Sequence, residues 1–299
     1  MLTQRSPVRG AKRRDALLSL FAMNGRMMPI NELNNRLFNF ALSRWVGRYI
    51  YDWRRRHQPR AQSTTTKFFR NLQQLAALEG PLANLTENGG LLALVAGCSY
   101  GCEAYSLGGL LALRFPRLNW EITADDISHE ALKIADVGRY APQHGLGSPR
   151  DDFARQLEAR LFKQRGAVWT VVPDIRERIR FAYADVLSPQ FQQFKCYDLV
   201  LGQNFMIHMD EASAETALAS LVAAARSGGA LFLGGMDLEK KASLLAPHQL
   251  VPVDWNIEAI HEEDKIRRAA WPWYYWSLEP INHSDCNFLT RYSTIFIKP

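Results

Sequence analysis

The stretch GGLLALVAGCSYGCEAYSLGGLLAL, Gly89 to Leu113, decides how the rest of the chain is read. An apolar run from Leu91 to Ala96 breaks into small residues at Gly97, Cys98, Ser99 and Gly101. A second apolar pattern then starts with Tyr105, Leu107, Leu110, Leu111 and Leu113. This is a strand, a tight loop and a helix. Small side chains let backbone N–H groups at the helix start face a ligand. The loop lacks the three-glycine dinucleotide fingerprint and is no P-loop. By itself it also fits a plain strand-to-helix turn; Glu103, within the first helical turn, points to a ligand site.

Downstream, NWEITADDISHEAL gives a strand over Trp120–Ala124 and a helix for which Ser128 is the cap. Asp125 and Asp126 end that strand about 25 residues after the loop, where doubly wound folds place a ribose-binding acid. A helix carrying Phe153, Leu157, Leu161 and Phe162 precedes a short β excursion in RGAVW and a strand at Ile179–Tyr183. YDLVLGQNFMIHM supplies a buried strand, Leu199–Leu201. The helix in DEASAETALASLVAAARSGG is read as stopping on Gly228-Gly229 before the strand ALFLGG. LVPVDWNI and TRYSTIFIKP read as late strands. Alternation of strands and helices implies a mostly parallel sheet covered on both faces.

Upstream, residues 11–57 read as helical, with Leu33, Leu37, Leu42, Trp45, Tyr49 and Trp53 near helical spacing. Residues 1–60 hold 13 Lys/Arg against three acids, a balance of +10, which leaves −4 on the remainder. Such a basic segment suits an acidic partner or is a solvated helix face. An open groove lined by Arg36, Arg44 and Arg48 would favour a protein acceptor. The aromatic run at 271–276 is either a loop over the core or the wall of a small-molecule pocket. No apolar run reaches the ~18–20 residues of a membrane span, so no membrane insertion is expected. The N-terminal apolar patch is short, with Asp15 at its start, and is read as an amphipathic helix of a cytoplasmic protein. Cys98, Cys102, Cys196 and Cys286 are expected as reduced thiols, mostly buried, and no metal is expected because His and Cys lack ligand spacing.

Four stretches taken together resemble the chemotaxis receptor methyltransferase (CheR) family, which transfers methyl from S-adenosylmethionine to receptor glutamates. They are Thr66-Lys67-Phe68-Phe69-Arg70, the AGCSYGCEAYS of Ala96–Ser106, Asp126-Ile127-Ser128 with Gly138-Arg139-Tyr140, and Asp198 to Met209. The resemblance implies an α/β class I methyltransferase, with a Rossmann-like, mostly parallel seven-stranded sheet. It implies an N-terminal helical domain over 1–80 and a methyltransferase domain over 81–299. The latter includes a small β subdomain at 162–182 and a divergent aromatic-rich segment at 237–289. It places Thr66, Arg70, Ala96, Glu103, Asp126, Gln203 and Asn204 around S-adenosyl-L-methionine, whose product is S-adenosyl-L-homocysteine. Asp185 and Val186 would flank the adenine.

The family's R-N-V-x-I-Y is here Gln203-Asn204-Phe205-Met206-Ile207-His208, so an arginine and a tyrosine are lost. The expected reaction is O-methylation of a carboxylate, in a protein glutamate or an acidic small molecule, with Arg70 and Asn204 positioning the reactants. A hydroxyl or amine acceptor would instead recruit His208 as base. A cofactor-binding sensor or scaffold without catalysis is the other class. Nucleic acid is not an expected partner, since the chain shows neither an amino-methylating motif nor a recognition-helix signature.

Overall fold

Seven strands form the main sheet, in the order β9-β10-β8-β7-β1-β2-β6. The strands are β1 Gly90–Ala96, β2 Asn119–Asp126, β6 Ile179–Tyr183, β7 Tyr197–Gly202, β8 Ala225–Phe232, β9 Val251–Pro252 and β10 Ile295–Ile297. Strands β8, β7, β1, β2 and β6 run parallel, while β10 is antiparallel to β8 and β9. The apolar run Leu91–Ala96 makes the middle strand because a strand covered on both faces has no solvent side to alternate with. The chain leaves β1 toward β2 and β6 on one side and later returns to β7 on the other. That reversal opens a crevice at the carboxyl ends of β1 and β7.

The structure is a computed structural model that describes residues 22–23, 26–27, 49, 53, 66–87, 89–147, 151–193, 196–263 and 281–299. The chain divides into two units, Met1–His57 with Asp264–Ile281, and Gln58–Glu263 with Asn282–Pro299. In the first unit Ala22–Met23 pairs antiparallel with Arg26–Met27, which corrects the helix expected at those positions. The sequence between the two strands is Asn24-Gly25, a dipeptide favoured in tight hairpins. Arg36, Arg44, Arg48 and the aromatic run 271–276 lie outside the described residues. Among the described residues no helix is long and apolar enough to cross a membrane.

In the second unit, α1 (Leu72–Leu75) and α2 (Asn84–Glu87) precede β1 and contribute Leu72, Leu75 and Leu85 to its core. Helix α3 (Cys102–Arg114) buries nine of its 13 residues. Tyr105 on it is fully buried and donates its hydroxyl to the Ala135 carbonyl at 2.8 Å. Ser128 caps α4 (His129–Val137) through Ala131 N–H, as expected. Then come β3 (Arg139–Tyr140), α5 (Asp152–Leu161), β4 (Phe162–Arg165), β5 (Val168–Val171) and α6 (Pro173–Arg176). Strands β3, β5 and β4 form a small antiparallel sheet, so the β excursion also recruits residues 139–140.

Helix α7 (Glu211–Ala224) stops before the glycines expected to end it. Gly228 and Gly229 lie instead in an irregularity of β8, where the pairing with β7 shifts between Ala225 and Ala230. Gly228 takes φ 71° there, a conformation glycine adopts freely. The late segments are α8 (Leu238–Leu245), α9 (Ile257–Glu263) and α10 (Phe288–Tyr292). Tyr292, expected in a strand, ends α10, because the alternating pattern begins only after Ser293.

Candidate functional site

Ala96, the last residue of β1, pairs with Asp125 of β2 and Gly202 of β7. The loop beyond it turns through three positive φ values, at Gly97 (69°), Ser99 (51°) and Gly101 (78°). A side chain on Gly97 would meet the Phe205 ring at 2.9 Å, and one on Gly101 the Phe181 ring at the same distance. The loop is latched to β2. Cys98 N–H donates to the Asp125 carbonyl at 2.9 Å, and Ser99 N–H to Asp126 Oδ2 at 2.8 Å. Asp126 Oδ1 also accepts Ser128 N–H at 2.8 Å. An ionised carboxylate has about four acceptor positions, so ligand hydroxyls can still bind there.

The segment Thr66–Asn71 straps across the first turns of α3. Phe68 N–H donates to the His144 carbonyl at 3.0 Å, and Phe69 N–H to Ser106 Oγ at 2.9 Å. The Phe68 ring is wedged edge-on between Tyr140 and Phe162, at 4.7 and 4.9 Å between centroids. Thr66 hydrogen-bonds the Cys102 thiol, which burial pushes to a high pKa. Arg70, on the strap, lies near enough to Glu103 for its charge to act on that carboxyl. Glu103 keeps some exposed surface, yet desolvation pushes its carboxyl up to about 7, with Arg70 pulling the other way. Asp125 is similarly pushed up to about 6 by burial, opposed by Arg180.

At the end of β7, Gln203 is 7% exposed and donates Nε2 to Gln74 Oε1. Gln74 in turn donates Nε2 to the Thr294 carbonyl at 3.0 Å. Asn204 takes φ 59°, which asparagine tolerates, and its N–H donates to the Gly234 carbonyl at 2.8 Å. Gln203 Oε1 is buried without a hydrogen-bond partner, and a side chain on Gly234 would run into it. Asp185 Oδ1 accepts Leu187 N–H at 3.0 Å just after β6, and Val186 is 9% exposed beside it.

The structure therefore gathers Ala96, Asp126, Gln203 and Asn204 at the strand ends, holds Glu103 in the first turn of α3, and brings Thr66 and Arg70 near that turn through the strap. Asp185 and Val186 follow β6, whose Tyr183 pairs with Asp126. His208 lies exposed at the end of a 3-10 turn, Met206–His208. Gln74 and Gly234 were not singled out by sequence reading. Their signal is spatial, since Gln74 is 129 residues from its partner. Among the described residues no group of three His, Cys, Asp or Glu is placed to hold a metal.

An arginine and a carboxyl beside a latched glycine loop, with a buried orphan acceptor, suit a zwitterionic, hydroxyl-bearing nucleoside such as S-adenosylmethionine. Residues 64–246 match the family model described as CheR methyltransferase, SAM binding domain. The chemotaxis protein methyltransferase of Listeria monocytogenes is 29% identical over 175 residues, covering 58% of this chain and 64% of that protein. An uncharacterized 104.1 kDa protein of Rhodobacter capsulatus is 34% identical over 182 residues, covering 58% of this chain but 18% of that protein. The chain thus spans a little under two thirds of the length of the chemotaxis methyltransferases it matches. Among solved structures, a TehB-like SAM-dependent methyltransferase from Corynebacterium glutamicum matches 77% of this chain and 89% of its own, at 14% identity and TM-score 0.42. Nothing about chemistry follows from a likeness that slight.

Proposed function

The chain belongs to the CheR methyltransferase family, and from that premise we propose that it is an S-adenosylmethionine-dependent O-methyltransferase acting on a carboxylate. The acceptor is a protein glutamate or an acidic small molecule, and the products are a methyl ester and S-adenosylhomocysteine. The observation that carries this reading is the seating of the strap on α3, where Phe69 N–H donates to Ser106 Oγ at 2.9 Å and so brings Arg70 to the helix whose first turn holds Glu103. An amino-acid end carries one carboxylate and one ammonium, and this pair offers one cation and one acid to match them.

In this reading Asp126 takes ribose hydroxyls while still holding the loop, and Asp185 and Val186 flank the adenine. Asn204, fixed by its bond to Gly234, stands at the reacting end with Arg70. The bound cofactor supplies an electrophilic methyl on a sulfonium; the chain's part is to align acceptor and cofactor. A carboxylate with an ordinary pKa near ~4.3 is already ionised at neutral pH and needs no base. The solvent-exposed position of His208 agrees with a reaction that asks none of it.

The test is incubation with methyl-tritiated cofactor and candidate acceptors, glutamate-bearing peptides and acidic small molecules among them. Base-labile release of tritiated methanol is the expected result. Label that withstands base, on a hydroxyl or amine acceptor, would remove the carboxyl reading. Binding of S-adenosylhomocysteine with no transfer to any acceptor would instead favour a sensor or scaffold.

A further inference from the structure

Gln74 and Gln203 form a buried chain of amides whose polarity is set from one end. The Thr294 main-chain carbonyl can only accept, so Gln74 must turn Nε2 toward it. Gln74 Oε1 is then left to accept, and Gln203 must offer Nε2 to it. The outcome at the far end is forced: Gln203 presents Oε1, an acceptor, and this atom is buried without a partner. Flipping either amide would set like groups against each other. A buried acceptor left without a donor is rare in native proteins and calls for a reason.

Both residues stand where a ligand is expected. Gln203 follows Gly202, the β7 partner of Ala96, and precedes Asn204. Gln74 lies on the segment that carries Arg70, one turn further along. Oε1 packs against Gly234, where an added Cβ would run into it, and Gly234 itself is part-exposed.

We propose that Gln74 is a positioning residue that locks Gln203 so that its Oε1 accepts a hydrogen bond from the cofactor's α-ammonium, alongside Glu103. The proposal rests on the cofactor reading given above and adds to it a specific donor–acceptor pair. An ammonium has three N–H donors, more than one carboxylate oxygen satisfies. The arginine that the family carries at this position offers only donors, so Gln203 reverses the polarity of this wall.

The probes are S-adenosylhomocysteine and its deaminated analogue, in which the α-amino group is replaced by hydrogen, each titrated calorimetrically at pH 8. The wild-type protein should prefer the amino compound, and Gln203→Met should shrink that preference roughly 10-fold, the low end for a hydrogen bond to a charged group. Gln74→Met should shrink it to a similar degree although Gln203 is still present, because the amide is no longer oriented. Affinity for the deaminated analogue should stay within about 2-fold throughout. A merely structural role would weaken both ligands equally, and that result overturns the proposal, as does an unchanged preference in both variants. If the wild-type protein binds neither nucleoside, the cofactor reading itself falls and takes the proposal with it.

Discussion

The two sides of the crevice are finished differently. On the β1–β2 side the loop's donors end on fixed acceptors, Cys98 N–H on the Asp125 carbonyl and Ser99 N–H on Asp126. On the β7–β8 side the amide chain from Thr294 through Gln74 ends on an acceptor with no donor. The first side is a cradle whose shape is set before any ligand arrives. The second leaves one buried acceptor unmatched. The difference teaches that one half of the rim satisfies its own polar groups while the other leaves a buried acceptor over.

Removing the latch should break the cradle side most severely. Asp126→Ala strips the acceptor from Ser99 and Ser128 N–H together, each a charge-assisted bond of about 1.5–3 kcal/mol. Affinity for S-adenosylhomocysteine should fall ~100-fold or more, with a lower melting temperature, read by calorimetry and thermal unfolding. An Asp126→Ala protein that binds and melts like the wild type would show that the latch matters little.

A glycine on each side gives the next contrast. Gly97→Ala adds a side chain at φ 69° against Phe205, which costs about 1–2 kcal/mol in backbone strain before any clash. Both stability and binding should drop. Gly234 has no such backbone demand, so Gly234→Ala should act mainly by displacing the Gln203 amide. Roughly 10-fold weaker binding with a smaller change in melting temperature is the expected pattern; equal loss in the two variants would erase the distinction.

Glu103 makes stability and binding respond oppositely to pH. Its folded-state pKa is raised from 4.5 to about 7 by desolvation. The folded protein therefore holds the proton more tightly than the unfolded chain, and this contribution to stability is full below about 4.5. It is lost as pH rises through about 7. A cationic ligand favours the carboxylate, so affinity should climb over the same interval. Glu103→Gln should flatten both curves, as denaturant titrations and calorimetry at a series of pH values would show. The smallest effect belongs to His208→Ala. With a carboxylate acceptor, turnover should change by less than ~3-fold, whereas a loss of 100-fold or more would mark a general base.

The half of the rim latched to β2 was legible in the sequence because its parts are local. Gly97, Gly101 and Glu103 lie within one strand–loop–helix unit, and Asp126 lies at the end of the next strand. Thr66 and Arg70 were reached through the resemblance of a five-residue motif, and the strap shows why it has that form. Phe68 is buried as a wedge, and the backbone takes positive φ at Phe69 and Asn71, on either side of Arg70. The Gln74–Gln203 chain was not legible, since glutamine has no patterned spacing and its partner lies far away in sequence. The β8 irregularity was misread for a related reason. A glycine pair after a helical pattern looks the same whether it ends the helix or bends the following strand.

One titration bears most directly on the paired charges of Arg70 and Glu103 as the cofactor's seat. S-adenosylhomocysteine is added to the wild-type protein at pH 7 in two buffers of different ionisation enthalpy, and the protons released per site are counted. With the Glu103 carboxyl near half-protonated at that pH, binding should release roughly half a proton, and Glu103→Gln should release none. Binding without proton release in the wild type, or no binding at all, would contradict the account.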